Sequence, residues 1–254
     1  MCLIVFAWRP GHALPLLVAA NRDEFHRRPS AQAAQWDDAP TVYAGRDLEA
    51  GGTWLGLSTD GRFAAVTNVR DPAQPLGQRS RGELPRDWLA GTDTLDRYAA
   101  RVLTRAGQYS GFNLLLSDGR RLCWISQDRL SWLNEGVYGL SNAQLDTPWP
   151  KLIRAQQALE AELENPEPEA LFRLLSDTTQ PADEELPDTG VGLDTERRLA
   201  SAFIQGEHYG TRASTLVYAW ENGEHRLLER SFGPHGQPQG EADLRFTVSW
   251  APVD

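Results

Sequence analysis

The chain has 254 residues, of which 41% are hydrophobic, enough for one sizeable core, so a single domain over residues 1–254 is the expected organisation. Thirty-five acidic against 25 basic side chains leave a net charge of -10, which repels phosphate backbones and anionic lipid and argues against nucleic-acid and membrane-surface partners. No apolar run approaches the roughly 20 residues that span a bilayer, and the apolar stretch from Leu3 to Trp8 lacks the length and basic flank of a secretory signal. These features predict a cytoplasmic protein, in which Cys2 and Cys123 stay reduced and unpaired.

In chain order, Cys2 to Trp8 predicts a strand, Arg9-Pro10-Gly11-His12 a turn and Leu14 to Ala20 a second strand, so the chain opens as a hairpin. A polar loop rich in Ala, Gln, Asp and Pro is expected next. Residues 51–58 and 62–68 form a second predicted hairpin around Thr59-Asp60-Gly61. Residues 69–80, with Pro72, Pro75 and Gly77, predict a mobile loop, and Glu83 to Ala90 and Thr94 to Ala106 predict helices. Phe112 to Ser117 and Arg121 to Ser126 flank the tight-turn pair Asp118-Gly119, and Val137 to Leu140 is a further short strand. Pro150 to Leu163 and Glu169 to Leu175 have helical spacing, Asp177 to Thr195 reads as an acidic surface loop, and Thr195 to Phe203 as a short helix. Thr215 to Trp220, Arg226 to Ser231 and Leu244 to Trp250 add three strands. Strands, then helices, then strands predict an α+β fold of two antiparallel sheets stacked face to face under helices.

The chain has no internal repeat and no G-x-G-x-x-G, G-x-x-x-x-G-K or G-x-S-x-G motif, so the usual nucleotide-binding and serine-hydrolase signatures are missing. His12, His26, His208, His225 and His235 lack ligand spacing and the cysteines form no C-x-x-C pair, so neither a metal nor a cofactor is expected. Lys151 is the only lysine and falls at a predicted helix start, which argues against lysine chemistry. The start of the chain is more distinctive. Cysteine is small enough for efficient removal of Met1, which would leave Cys2 with both a thiol, of unperturbed pKa about 8.5, and an α-amine, of about 7.7–8.0. Near neutral pH that amine can take the thiol proton directly or through water. The alternative is a small buried residue opening an edge strand. Cys123, between Leu122 and Trp124, is fully explained as buried, so labelling is expected at Cys2. Asn21-Arg22-Asp23-Glu24 follows the second apolar strand, which returns it towards Cys2. There a guanidinium favours thiolate and a carboxylate can orient the amine, unless the cluster is only a solvated strand end. The nine tryptophans suit either the core or the rim of an apolar pocket.

Met1-Cys2-Leu3-Ile4, Asn21-Arg22-Asp23-Glu24-Phe25, Gly51-Gly52-Thr53-Trp54-Leu55-Gly56, Thr67-Asn68, Gly139-Leu140-Ser141-Asn142 and Trp149-Pro150-Lys151 together resemble the NRDE family, also called the transport and Golgi organisation protein 2 family. The N-terminal and Ser141-Asn142 regions are also similar to cysteine amidohydrolases that cleave choloylglycine and penicillin V. That wider resemblance implies a four-layer αββα sandwich, the N-terminal-nucleophile hydrolase fold. Carried over by position, it implies Cys2 as nucleophile and base, Arg22 and Asp23 as supports, Asn142 as an oxyanion donor and Asn68 as a weaker candidate for the same role. Arg212 is a candidate for a late substrate arginine or an ordinary loop arginine, and Trp54 and Glu24 are further candidate substrate contacts. In those hydrolases the arginine and aspartate are separated by two residues. Adjacent Arg22 and Asp23 face opposite sides of a regular strand, so either the strand ends before Asp23 or Glu24 takes its place. Two functions follow from the resemblance: hydrolysis or transfer of a linear amide or related acyl group through a thioester on Cys2, or non-catalytic carriage of a hydrophobic ligand such as haem or acyl lipid.

Overall fold

Alternation along the first strand sets the architecture. In the computed structural model, which describes residues 2–248, Leu3, Val5 and Ala7 of β1 (Cys2–Trp8) enter one apolar core, while Ile4, Phe6 and Trp8 enter another. Burial on both faces requires a layer above and a layer below. The sheet holding β1 has the order β10-β1-β2-β11-β12-β13, built from β2 (Leu16–Phe25), β10 (Gly136–Leu140), β11 (Tyr209–Ala219), β12 (Glu224–Phe232) and β13 (Pro238–Thr247). The second sheet runs β3-β4-β5-β6-β7-β8-β9 through β3 (Ser30–Trp36), β4 (Ala39–Asp47), β5 (Leu55–Ser58), β6 (Phe63–Asn68), β7 (Phe112–Ser117), β8 (Leu122–Ser126) and β9 (Arg129–Trp132). Every pairing within both sheets is antiparallel.

Helices cover the outer faces. On the first sheet, α3 (Pro150–Ala161) buries Leu152, Ala155 and Leu159 at helical spacing, and α4 (Pro168–Leu175) buries Leu171, Phe172 and Leu175. On the second, α1 (Glu83–Leu89) and α2 (Leu95–Arg105) bury Leu84, Trp88, Tyr98 and Val102. A short α5 (Leu193–Arg198) follows the long loop after α4. Each buried Leu or Phe contributes about 1.5–3 kcal/mol. The result is the predicted α+β, four-layer αββα sandwich.

Several boundaries differ from those expected. The strand expected over Leu14 to Ala20 runs as β2 to Phe25, because Asn21 to Phe25 are paired on one or both sides: Cys2 opposes Arg22 on β1, and Thr211 opposes Asp23 on β11. The expected polar loop after it contains β3 and β4. Their Ala- and Gln-rich stretches have weak strand propensity, and tertiary contacts override it: Ala33 N–H donates to Glu229 of the other sheet, and Trp36 and Val42 join a core. β9 was not anticipated. β11 begins at Tyr209, six residues before the expected start, and holds a bulge between Thr211 and Ala213. The helix expected over Thr195 to Phe203 is α5, whose Glu196 is anchored by Thr189 and Arg70. The last strand ends at Thr247, Val248 follows it outside the strand, and the expected continuation over residues 249 and 250 lies outside the described residues. No helix among the described residues is long and apolar enough to cross a membrane.

Candidate functional site

Cys2 begins β1 at the end of the sheet, opposite Arg22, and its side chain shares the inter-sheet face with Ile4 and Phe6. The register of β1 with β10, Ile4 opposite Leu140, brings the segment after β10 alongside Cys2. Ser141 Oγ donates to the Cys2 carbonyl at 3.2 Å, and its own carbonyl accepts from Thr67 Oγ1 at 2.6 Å. Asp146, with φ of 57°, folds this segment back: its carboxylate accepts from Gly139 N at 2.7 Å and from Gln156 Nε2 at 3.0 Å. Asn142 is buried, and its Nδ2 donates to the Asn68 carbonyl at 2.9 Å. Of the two asparagines, Asn68 is the one that lines the large cleft described below.

Arg22 and Asp23 lie on opposite faces of β2, as adjacent residues in an unbroken strand must. The Arg22 guanidinium lies over the Trp54 ring at 4.3 Å, between the sheets. Trp54 is held there by its loop. Gly52 is pressed against Gly82, so that a Cβ on Gly52 would run into the Gly82 carbonyl, and Thr53 N–H donates to Gly82 O at 3.1 Å. Burial pushes the Cys2 thiol up, and the Asp23 carboxylate acts the same way, while Arg22 and a hydrogen bond from the Asp23 N–H favour the thiolate. Arg81, which donates to Gly111 O at 3.0 Å, is also within electrostatic reach of Cys2.

On the helix side, Asp23 accepts from Thr211 Oγ1 at 2.7 Å, and Tyr209 OH donates to its carbonyl at 3.1 Å. Burial raises the Asp23 pKa, and the positive charge of Lys151 works against that rise. Lys151, just inside the start of α3 after Pro150, is buried and donates to Leu199 O at 2.8 Å. Burial lowers its pKa to about 8, and the Asp23 carboxylate restrains the fall. Arg70 pairs with buried Glu196 and lies over Trp149 at 4.9 Å. Asn21, one position before Arg22, is a support: its Nδ2 donates to Leu175 O and Ala202 O, both at 2.8 Å.

A cleft of about 1240 Å³ opens beside this cluster, bordered by Glu24, Phe25, Asn68, Phe203, Ile204 and Tyr209. Glu24 is therefore at the cleft, while buried Asp23 is the carboxylate coupled to Cys2. A second cavity, about 200 Å³ and polar, is lined by Arg22, Trp54, Arg212, Gln32 and Glu229. Arg212 is the extra residue of the β11 bulge and not a loop residue. Its Nη1 donates to the carbonyls of Phe25, His26 and Arg28 at 3.1–3.2 Å. Cys123 is buried beneath the helices on the second sheet, and its thiol pKa is pushed up to about 12.

A family model described as Transport and Golgi organisation 2 matches residues 1–234. The chain belongs to the transport and Golgi organisation 2 family. It is 34% identical over 256 residues to the mouse Transport and Golgi organization 2 homolog, covering 91% of this chain and 93% of that one. To the Drosophila melanogaster protein of this family it is 28% identical over 274 residues, covering 93% and 95%. Among solved structures, a Caenorhabditis elegans N-acylethanolamine-hydrolyzing acid amidase ortholog superposes with a TM-score of 0.51 at 13% identity, covering 85% of this chain and 92% of that one. The fold is thus that of the N-terminal-nucleophile hydrolases.

Within this family member the structure gathers Cys2, Arg22, Asp23, Asn68 and Asn142 at one end of the sandwich and places Trp54 and Arg212 on the small polar cavity. The expected removal of Met1 lies outside the described residues. Sequence reasoning missed Lys151, Arg70, Arg81, Gln32 and Glu229. Lys151 carried a signal, being the single lysine of the chain and inside the Trp149-Pro150-Lys151 motif. The others are ordinary polar residues until the sheets stack.

Proposed function

We propose that this protein is a cysteine N-terminal-nucleophile hydrolase or acyltransferase acting on a linear amide or related acyl compound. The observation that supports it is the position of Cys2: at the end of an inner strand, across from Arg22 and beside Asp23 and Asn142, at the same end of the sandwich as a ligand-sized cleft lined by Glu24 and Asn68. With Met1 removed, the Cys2 α-amine takes the thiol proton and the sulfur attacks the acyl carbonyl. A C–S bond forms, the C–N bond breaks, and the amine passes the proton to the departing nitrogen. Water or an acceptor amine or alcohol then attacks the thioester, giving up a proton to the α-amine and releasing the thiol. Asn68 is the side chain suited to the oxyanion, and Asn142 positions it through the Asn68 carbonyl. The positive charge of Lys151 offsets part of the Asp23 charge, which otherwise opposes the thiolate.

The test is intact-mass measurement of the purified protein before and after exposure to a panel of acyl amides. Loss of Met1 and a mass gain confined to Cys2 are expected. Retained Met1 acylates the amine and ends this mechanism. The second reading, carriage of a hydrophobic ligand, draws on the size of the cleft and its Phe25, Phe203 and Ile204 walls. Tight binding of such a ligand with no thioester at any time point would move the assignment there.

A further inference from the structure

The small cavity holds an unusual set of donors. The Arg212 Nε and the Gln32 Nε2 are both buried without an acceptor. Arg22, beside them, stacks on Trp54 and lines the same cavity, where its fixed positive charge acts on the Glu229 carboxyl. A buried donor left unpaired costs about 1–3 kcal/mol, so two of them on residues lining one small cavity, beside the Arg22 guanidinium, mark a place shaped for an acceptor that arrives with a ligand. The remaining Arg212 nitrogens are fixed on backbone carbonyls and Ser30 Oγ, which pre-orients the Nε. Arg22 is the direct cross-strand partner of Cys2, so one wall of the cavity stands beside Cys2 on the neighbouring strand.

We propose that this cavity, formed by Arg22, Arg212 and Gln32, binds a carboxylate group of the substrate while the rest of the acyl compound lies in the large cleft. This rests on the reading of Cys2 as the nucleophile and specifies one end of its substrate. A planar monoanion fits better than a phosphate dianion. Guanidinium and amide donors match two in-plane oxygens, and the floor is the buried Glu229 carboxyl, which a dianion would face at close range. Glu229 accepts from Ala33 N at 2.7 Å and Thr215 Oγ1 at 3.2 Å, one bond on each oxygen, and the Arg22 charge partly offsets the burial that disfavours its ionised form.

Two alkylating agents of nearly equal size read the cavity directly. Iodoacetate carries a carboxylate, and iodoacetamide carries a neutral amide. For Cys2 of the mature protein, the iodoacetate-to-iodoacetamide rate ratio should exceed that of free cysteine ethyl ester by about tenfold or more and saturate with iodoacetate. Propionate should protect, inorganic phosphate and propionamide should not, and Gln32→Leu and Arg212→Gln should each lower the ratio. Arg212→Gln also releases the 25–28 turn, so Gln32→Leu is the decisive variant where the former folds poorly. Equilibrium binding of propionate to Cys2→Ala, measured by calorimetry, checks the cavity independently of the thiol. Ordinary iodoacetamide labelling with a free-thiol ratio, or no propionate binding to Cys2→Ala, overturns the carboxylate site and leaves the nucleophile standing. A thiol inert to both reagents with propionate still bound sinks the nucleophile and keeps the site.

Discussion

The two faces of β2 around residues 21–24 solve opposite problems. On the helix side, Asn21 and Asp23 are enclosed by Thr211, Ser214 and Lys151, with Arg70, Glu196 and the start of α3 close by. Charges there are matched inside the protein, so this face holds a geometry. On the inter-sheet side, Arg22 rests on an aromatic ring next to Cys2 and unpaired donors, so this face awaits a partner. A strand separates the two by alternation alone, which lets one short motif support a reactive group on one side and receive a ligand on the other.

The comparison breaks most sharply at Cys2. Replacing it with alanine should lower acyl turnover by roughly 10³-fold or more, whereas Cys123→Ala should leave turnover of the folded protein intact. Iodoacetamide at neutral pH should label Cys2 first, and equal labelling of Cys123 would contradict the division between the faces. On the closed side, Lys151→Met should destabilise the fold by about 1–3 kcal/mol, because it removes one of the positive charges that favour the buried Asp23 carboxylate and takes the donor from the Leu199 carbonyl. Adding Asp23→Asn should recover a large part of that loss in chemical denaturation, and strict additivity of the two changes would mean they do not interact.

Asn68→Ala should reduce turnover by roughly 10²–10³-fold with little change in substrate affinity, the signature of a donor used in the transition state. Asn142→Ala, which loses the hydrogen bond to the Asn68 carbonyl, should cost about 1 kcal/mol of stability and a smaller part of the rate. If single-turnover acylation instead falls further in Asn142→Ala, the two asparagines exchange roles.

Glu229 tests the open face through pH. Burial raises its pKa to about 7, from 4.5 for an unperturbed glutamate. The folded protein therefore binds more protons than the unfolded chain between about 4.5 and 7, so this group's contribution is full below that window and is lost as pH rises through 7. Relative to wild type, Glu229→Gln should gain stability across that interval, by at most about 3 kcal/mol. Parallel melting curves for the two proteins from pH 5 to 8 would show that Glu229 is not held protonated.

Composition and periodicity determined the layers. Continuous apolar runs at Cys2 to Trp8 and Leu16 to Ala20 demand burial on both faces, and helical spacing at Leu152, Ala155 and Leu159 supplies one cover. The opening motif also marked Cys2, Arg22 and Asp23, because a residue position is enough to set strand register. β3 and β4 stayed hidden, since Ala and Gln show no strand preference until a neighbouring sheet offers Glu229 and a core. Lys151 was read as a helix-start lysine from its local sequence, and only the docking of α3 onto β1 buries it within electrostatic reach of Asp23 and Cys2. The bulge that turns Arg212 inwards and the stacking that closes the small cavity are long-range as well. Local sequence sets which face a side chain takes, and what that face meets depends on elements more than a hundred residues away.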